Sequence, residues 1–361
     1  MTTSTRVAAA ALLACAAVAP ANGQDDGGSG CEPSGGLEFV CGPRNAEDLV
    51  LVPGTRWIIA SGMTEGAGLA LVDSESGEWS VLYPAPNARA RHDAAAYPGC
   101  ATPPAPATFN THGLSLRATG QGRAMLYAVA HGEREAIEAF EVDATGERPV
   151  LTWKGCAHMP EGLPANSVAS LPDGSLLATV LLMPGTTFAD SVAKKPTGAV
   201  FEWSPGDDEF ALVRGSELPS NNGIEVSADG REFYVASSGF QTIVAFAREN
   251  PTRQLRSSAP LPITPDNVHL GPDGLLYTAG MKNDVPACGG PPGPQHTLEA
   301  LSTCPRGTIA LTVDPETMEH TVVLDTPDNP AFSNATMALP VGDRLWIGTF
   351  RGDRIAYAPR R

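Results

Sequence analysis

The sequence predicts an all-β fold, a six-bladed β-propeller whose four-stranded blades surround a central tunnel. Three observations support this prediction. About one residue in five is Gly or Pro, a composition that favours many short elements over a helical bundle. A strand-turn-strand pattern recurs along the whole chain. Once a predicted leader is removed, the remaining roughly 340 residues divide into six units of about 56 residues each, the size of one blade.

Each unit contains a short apolar strand, a turn with Gly, and a second apolar strand, as in NGIEVSADGREFYVASSG. Asp-Gly or a related pair at the turn supplies the positive φ that tight hairpins require. Further strand-like runs follow each hairpin, such as Ala199 to Trp203, so a unit holds two hairpins. A β-sandwich or two smaller β domains is the alternative. The units begin at Glu47, His112, Asn166, Asn222, Asp266 and Ala335.

The N-terminal residues have the pattern that is typical of a secretory signal peptide. Residues 1–23 contain one cation, Arg6, then an apolar run and small residues suited to cleavage. Residues 24–40 are predicted to be a flexible lead, and residues 41–361 a single propeller. Alternatively, Cys15 becomes the acylated N-terminus of a lipoprotein. No later run of about 18 apolar residues follows, so we expect a secreted or periplasmic chain with no transmembrane segment once it is mature.

The charge balance excludes two classes of partner. The chain has 24 Lys and Arg against 40 Asp and Glu, a formal net charge of −16. Such an excess of carboxylates repels nucleic acid and offers no basic surface to an anionic membrane.

Beyond Cys15 the cysteines are even in number, which is typical of disulfides in an exported chain. Six cysteines allow 15 pairings. Cys288 with Cys304 is the first choice, because both lie in one Gly/Pro-rich insertion, and Cys100 with Cys156 is the second. The sequence spacing does not suit a zinc site. The remaining two are Cys31 and Cys41.

A ring of polar residues is predicted where the innermost strand of each blade begins. Counting back from the turn glycines at 54, 120, 174, 230 and 274 reaches carboxylate, carboxamide or imidazole in five blades, and the sixth offers Thr336. Strand starts usually carry β-branched or apolar residues. Two carboxylates with three neutral carbonyl oxygens suit Ca²⁺ better than Zn²⁺. The candidate calcium ligands are Glu47, Asn166, Asn222, Asp266 and Asn267.

Two histidines are predicted at the same mouth of the tunnel. His112 begins an inner strand, and the hairpin that follows returns the chain so that His131 ends the partner strand. Histidine serves as a base near neutral pH. His269 lies two residues beyond Asn267 and is assigned a packing role.

These motifs resemble the calcium-dependent paraoxonase family of lactonases and aryl esterases, within the wider group of SMP-30 and gluconolactonase-like propellers. The resemblance covers roughly Glu47 to Phe350 and is strongest in AEDLVLVPG, NTHGLSL, LPANSV, NNGIEVSADG, PDNVHLGPDG and WIGTF. It implies that the five ring residues hold a catalytic calcium and that His112 and His131 match the family's histidine pair.

The resemblance also implies a second, structural calcium, for which Asp48 and the backbone carbonyl of Leu114 match. The expected aspartate after Asn166 is Ser167, which removes one ligand. The C-terminus lacks the cysteine that ties the last strand of paraoxonases to the N-terminal region. Closure of the ring must therefore rest on strand pairing, with Cys31 and Cys41 joined to each other or elsewhere.

The leading hypothesis is a hydrolase of small lactones or aryl esters. Ca²⁺ binds the substrate carbonyl oxygen, His112 deprotonates water, and His131 orients or relays the proton. No G-x-S-x-G motif supports an α/β-hydrolase. The alternatives are a gluconolactonase-like sugar lactonase that does not depend on the histidines, and a non-catalytic propeller pinned by calcium. The insertions 183–198 and 281–307 are expected to shape substrate choice, and their small and apolar residues favour uncharged ligands.

Overall fold

The computed structural model describes residues 30–360, except residues 87, 294 and 295. The chain divides into two units, Met1–Gly30 and Cys31–Arg361, and every strand below lies in the second. The predicted signal peptide, the first residues of the predicted lead and Cys15 lie outside the described residues.

The strands form six sheets, five of which contain only strands consecutive in the sequence. The first strand, β1, spans Glu38–Cys41. The first sheet contains β2 (Leu49–Leu51), β3 (Trp57–Ser61), β4 (Leu69–Asp73) and β5 (Trp79–Tyr83). The second contains β6 (Arg89–Ala90), β7 (Asn110–Gly120), β8 (Arg123–His131), β9 (Ala136–Asp143) and β10 (Val150–His158). The third contains β11 (Val168–Ser170), β12 (Leu176–Val180), β13 (Ala199–Trp203) and β14 (Ala211–Leu212).

The last three sheets repeat this order. The fourth contains β15 (Asn221–Val226), β16 (Glu232–Ser237), β17 (Thr242–Ala247) and β18 (Arg253–Ser257). The fifth contains β19 (Ile263–Leu270), β20 (Leu276–Lys282), β21 (Thr308–Val313) and β22 (His320–Asp325). The sixth contains β23 (Ala335–Val341), β24 (Arg344–Thr349), β25 (Arg354–Pro359) and β1.

The fold is therefore the predicted six-bladed propeller. In each sheet the first long strand pairs antiparallel with the second, and the second with the third. The second blade adds a strand that the sequence did not predict. In it, β6 runs parallel to β10, with Arg89 opposite Thr152.

The N-terminal strand closes the ring. β1 pairs antiparallel with β25, from Glu38 opposite Tyr357 to Cys41 opposite Arg354, and so completes the sixth blade. The predicted flexible lead through residue 40 is wrong at its end, because residues 38 to 40 gain ladder hydrogen bonds within this strand. Cys31 and Cys41 form a disulfide with each other, so the closure rests on strand pairing as expected.

The core lies between neighbouring blades, where the faces of adjacent sheets pack together. Trp153, Trp203 and Trp346 are fully buried there, and aromatic side chains contribute most to such interfaces because each buries a large apolar area. Trp203 also stacks on Tyr97, with ring centroids 5.4 Å apart. Tyr97 lies in the long connection between β6 and β7, so this connection packs against the third blade.

The hairpin turns follow the predicted glycines with one exception. Gly230 and Gly274 have φ of +69° and +80°, a left-handed conformation that glycine adopts without steric cost. In the second blade the turn glycine is Gly122, with φ of +65°, and not the predicted Gly120. The strand β7 is longer than its equivalents and carries a register shift between Ala118 and Gly120, which displaced the count.

Both predicted insertion disulfides are present. Cys100 bonds Cys156 and so ties the first long connection to β10. Cys288 bonds Cys304 within the later insertion. Three disulfides in one chain suggest an oxidising environment. Among residues 30–360 that are described, no helix is long and apolar enough to cross a membrane.

The two insertions carry the two short helices of the described chain. The helix α1 (Phe188–Val192) begins after Thr187, whose hydroxyl accepts a hydrogen bond from the backbone of Asp190. The helix α2 (Leu298–Thr303) begins after Thr297, which caps it in the same way. Such caps satisfy N–H groups that a short helix leaves free.

Candidate metal centre and active site

The predicted ring residues lie where the inner strands begin, and most of these starts are bulged. In β7, β15 and β19 the register shifts between Thr111 and Leu114, between Asn221 and Ile224, and between Pro265 and Val268. These intervals contain His112, Asn222 and the Asp266–Asn267 pair. A bulge re-aims side chains beside a site without breaking the strand. Glu47 and Asn166 stand two residues before β2 and β11.

A glycine after a ring residue lets neighbouring inner strands approach. A Cβ at Gly223, which follows Asn222, would lie 2.5 Å from the carbonyl oxygen of Asp266. A Cβ at Gly113, which follows His112, would lie 2.6 Å from the Cα of Ser167. A Cβ atom cannot approach other atoms this closely. Only glycine at these two positions therefore allows the neighbouring inner strands to lie at their observed separation.

The five predicted ligands form one connected group. Asn267 Nδ2 donates to Glu47 Oε1 at 2.6 Å, and His112 Nε2 lies 3.7 Å from the same oxygen. Asn166 Nδ2 lies 3.5 Å from His112 Nε2, and Asn222 hydrogen-bonds the Asp266 carboxylate. The structure therefore brings together residues from five different blades.

Four oxygen atoms in this group are buried without a hydrogen-bond donor among the described residues. They belong to Glu47 (Oε2) and to the carboxamides of Asn166, Asn222 and Asn267 (Oδ1). A buried polar atom without a partner costs about 1–3 kcal/mol. Four such oxygens on residues around one point leave a site that lacks positive charge.

The pKa values of the two ring carboxylates also indicate that the site lacks positive charge. Burial, reinforced by the nearby Asp266 and Asp48, raises the pKa of Glu47 well above its ordinary value. Burial also raises the pKa of Asp266 to about 7, against the lowering effect of the hydrogen bond from Asn222 and with a smaller contribution from the charge of Asp48. Buried carboxylates with like charges nearby resist ionisation unless a cation accompanies them.

These residues fit a calcium ion. The orphaned atoms are all hard oxygen donors, two side chains are carboxylates, and the remainder are neutral carbonyls, which is the donor set that Ca²⁺ accepts in six- to eight-fold coordination. The nitrogen atom in reach, His112 Nε2, would suit a softer metal but is one atom among many oxygens.

A chain of three side chains leads away from the ring. His112 Nδ1 lies 3.2 Å from His131 Nε2, and His131 Nδ1 lies 2.7 Å from Glu135 Oε2. An ionised carboxylate only accepts hydrogen bonds, so His131 must donate from Nδ1. Its Nε2 is then bare and accepts from His112 Nδ1. This assignment leaves the Nε2 lone pair of His112 directed to the ring, where Asn166 Nδ2 approaches it.

His112 is neutral in this setting. Burial, with a smaller contribution from His131, lowers the pKa of His112 to about 3. Its side chain is 15% exposed, so water or a small ligand can reach it. A neutral imidazole with a free lone pair is the form that accepts a proton.

Sequence reasoning missed two supporting residues, Glu135 and Ser238, and placed a third, Thr336, without assigning its partner. Glu135 orients His131, and the only signal for it is an acid four residues later, in HGERE, where Glu133 is an equal candidate. Ser238 accepts from Asn222 Nδ2 at 3.1 Å, which fixes the orientation of the carboxamide. Thr336, the sixth ring position, donates to the backbone carbonyl of Glu47 and so holds a neighbouring blade in place.

The residues matched to a second calcium do not fit one. Asp48 Oδ1 accepts from Leu49 N and from His269 Nε2, both at 2.8 Å. Asp48 Oδ2 accepts at 2.7 Å from Leu114 N. Leu114 therefore contacts this carboxylate through its N–H group and not through the backbone carbonyl that was matched to a calcium ligand. Asp48 is thus surrounded by three hydrogen-bond donors. The aspartate that a second calcium site would need after Asn166 is replaced by Ser167.

His269 is an ion-pair partner, which corrects the packing role assigned to it. Its Nε2 lies 2.8 Å from Asp48 and its Nδ1 lies 3.4 Å from Glu225. Burial opposes the charged form, but the two carboxylates outweigh it and raise the pKa of His269 to about 10. The imidazole of His269 is therefore protonated at neutral pH, and its two ion pairs link three blades along the tunnel.

An apolar cavity of about 210 Å³ adjoins the ring at Asn222 and Asp266. Both predicted insertions contribute to its wall. An open groove of about 930 Å³ at the hairpin turns Gly54 and Gly342 is larger, but it contains no ring residue. The apolar side chains that line the smaller cavity include Leu181, Phe188, Val192, Met281, Leu301 and Phe350.

The polar groups of the cavity wall are largely engaged with one another. Ser191 and Ser220 share a hydrogen bond between their hydroxyls. Ser238 donates to the Pro265 carbonyl, and Thr264 donates to Asn283 Oδ1 at 2.9 Å. Few donors remain free to recognise hydroxyl groups of a ligand.

Solved structures with the same fold are distant in sequence. A gluconolactonase from Xanthomonas campestris is 16% identical with a TM-score of 0.50, over 90% of this chain and 89% of that one. A calcium-binding regucalcin from Agrobacterium tumefaciens is 13% identical with a TM-score of 0.50, over 88% and 91%. A luciferin-regenerating enzyme is 12% identical with a TM-score of 0.52, over 90% and 95%. A search among curated proteins found no match.

The sequence itself matches a family description over most of its length. The SMP-30/gluconolactonase/LRE-like region matches residues 54–290, which span the turn of the first blade through the insertion of the fifth. This range includes both histidines and four of the five predicted ligands. The chain belongs to the SMP-30/gluconolactonase/LRE-like family of β-propellers.

Proposed function

We propose that the chain is a calcium-dependent hydrolase of lactones or aryl esters, similar in its residues to the paraoxonase branch. One observation carries the proposal. His112 Nε2 lies 3.7 Å from Glu47 Oε1 and 3.5 Å from Asn166 Nδ2, and these two residues carry two of the four oxygens that lack donors. A positioned base beside a cation site is the arrangement that hydrolysis of a carboxylic ester requires.

Glu47, Asn166, Asn222, Asp266 and Asn267 would hold the calcium. The bound ion would supply a Lewis acid that polarises the substrate carbonyl and offsets the negative charge that develops on its oxygen. The carboxamide nitrogens of Asn222 and Asn267 already donate to Ser238 and Glu47. Their oxygens are thereby fixed in orientation before any ligand arrives.

His112 would remove the proton of the attacking water through Nε2. The new imidazolium would keep its Nδ1–H bond to His131, and Glu135 would stabilise the charge through His131 Nδ1. The distances of 3.2 Å and 2.7 Å support this chain, which has the same logic as a base oriented by a third group. His131 is thus a positioning residue in this scheme.

A sugar lactonase is the second candidate, because the gluconolactonase of Xanthomonas campestris shares the fold. Such an enzyme would use the same metal without depending on His112. The cavity wall argues for the first candidate, since its hydroxyls are engaged internally and most of its other side chains are apolar. A polyhydroxylated ring would lose its hydrogen bonds to water there.

The mature chain would act outside the cytoplasm, secreted or periplasmic. Three disulfides favour an oxidising compartment. The signal sequence predicted over residues 1–23 supports the same address.

The test is hydrolysis of an aliphatic lactone series, a sugar lactone and an aryl ester, in buffered calcium and after chelation, with the His112→Gln protein alongside. We expect turnover that chelation abolishes and that His112→Gln lowers by about 10²–10⁴. Calcium binding measured by calorimetry should persist in His112→Gln.

The other outcomes are equally informative. Full activity of His112→Gln on the sugar lactone would favour the gluconolactonase-like candidate. Tight calcium binding without turnover of any substrate would refute the hydrolase and leave a non-catalytic propeller pinned by calcium.

A further inference from the structure

The rim of the apolar cavity carries one uncompensated cation. Lys194, which directly follows α1 and its cap, lines the same cavity as Asn222 and Asp266. Two other cations stand nearby and are engaged. Lys195 pairs with Asp190 at 2.7 Å, and Arg351 lies 3.6 Å from Glu299. Lys194 has no ion pair with any residue of the described chain.

The backbone at Lys194 is left-handed at the end of α1. Its φ is +62°, in the left-handed region where a helix end usually carries Gly. A lysine there adds backbone strain that glycine would avoid. Lys194 N donates to Ser191 O at 2.8 Å and Lys195 N donates to Asp190 O at 3.0 Å, so the backbone closes the helix end and leaves the Lys194 ammonium without an ion pair among the described residues.

The cavity is lined by polar ring residues, by one exposed lysine and by apolar side chains. The ring residues Asn222 and Asp266 form one boundary, Lys194 another, and Phe188, Val192 and Leu301 lie among the lining. A volume of about 210 Å³ equals roughly seven water volumes at about 30 Å³ each. A short aliphatic chain fits such a space, and a large fused ring system does not.

We propose that the preferred substrate is an ester or lactone whose apolar chain ends in an anionic group, with the carbonyl at the ring and the anion at Lys194. This inference rests on the proposed hydrolase. It also revises the expectation that the insertions favour uncharged ligands. In a chain with a net charge of −16, a free ammonium at a cavity rim selects an anion that the rest of the surface repels.

The experiment compares matched substrates. The 4-nitrophenyl monoesters of succinate, adipate and suberate carry a terminal carboxylate at increasing distance, and their methyl esters remove the charge without shortening the chain. Initial rates give kcat and KM for wild type, Lys194→Gln and Lys195→Gln. The Lys195→Gln protein has the same net charge as Lys194→Gln, so it controls for the overall field.

We expect Lys194→Gln to raise KM about fivefold for one or more carboxylate substrates, with kcat nearly unchanged. The methyl esters should be unaffected, and Lys195→Gln should resemble wild type. The preference should weaken in 0.5 M salt, because the ion pair is partly exposed.

Two results would overturn the inference in distinguishable ways. Equal effects of the two lysine substitutions on carboxylate and methyl ester, or none, would refute the role of Lys194 while the hydrolase stands. Absence of turnover for every ester in the presence of calcium would refute the hydrolase and this inference together.

Discussion

Substitution of Glu135 tests whether the His112–His131 chain is oriented from its far end. In Glu135→Gln the side chain keeps its size but loses its charge. The glutamine amide can donate to His131 Nδ1, which reverses the hydrogen bonds along the chain. His112 Nδ1 would then accept, and the proton would sit on Nε2, where the base must be bare.

The magnitude follows from the 2.7 Å contact between His131 Nδ1 and Glu135 Oε2. A hydrogen bond to a charged group contributes about 1.5–3 kcal/mol. Glu135 is 35% exposed, so solvent screening reduces this to about 1–2 kcal/mol. At 1.36 kcal/mol per decade, kcat should fall about five- to thirtyfold. Because Glu135 does not line the apolar cavity, KM should change less than about twofold.

The assay is the steady-state hydrolysis of an aryl ester at saturating calcium. Glu133→Gln is the matched control, because Glu133 is exposed and its substitution removes the same charge two residues earlier in the chain. Glu135→Asp should recover part of kcat by keeping the carboxylate. A kcat for Glu135→Gln within twofold of wild type, with an unchanged melting temperature, would refute the relay.

Two further predictions concern pH. Because burial raises the pKa of Asp266 to about 7, calcium must displace a proton below that pH, and calorimetric Kd should be about tenfold weaker at pH 6 than at pH 8. Asp266→Asn should reduce this pH dependence to the part that comes from Glu47, whose pKa burial also raises. An unchanged pH dependence in Asp266→Asn would contradict the assignment. The carboxylates of Asp48 and Glu225 overcome burial and raise the pKa of His269 from an unfolded value of about 6.5 to about 10. Their contribution is complete below pH 6.5 and lost as pH rises towards 10. The free energy of unfolding from urea titrations should fall by roughly 4 kcal/mol over that range, and an equal fall in His269→Gln would rule out this origin.

The sequence determined the fold because the propeller is a sum of local hairpins. Turn glycines and alternating apolar residues specify each hairpin, and six copies leave closure of the ring as the main long-range choice. The positions of the ring residues followed from the same repeat. The alignment on turn glycines was wrong in the second blade, where it chose Gly120, because the residue pattern does not reveal the bulge in β7.

Tertiary structure decided the partners of each polar group. Glu133 and Glu135 are equivalent in sequence, and only the path of the chain after β8 places one of them on His131. His269 has the same apolar strand context as a packing residue, yet it faces Asp48 and Glu225 from two other blades. Which of Lys194 and Lys195 is left without an ion pair also depends on the end of α1. Contacts between blades are set by the radius and closure of the ring, and a repeat pattern within one blade carries no information about them.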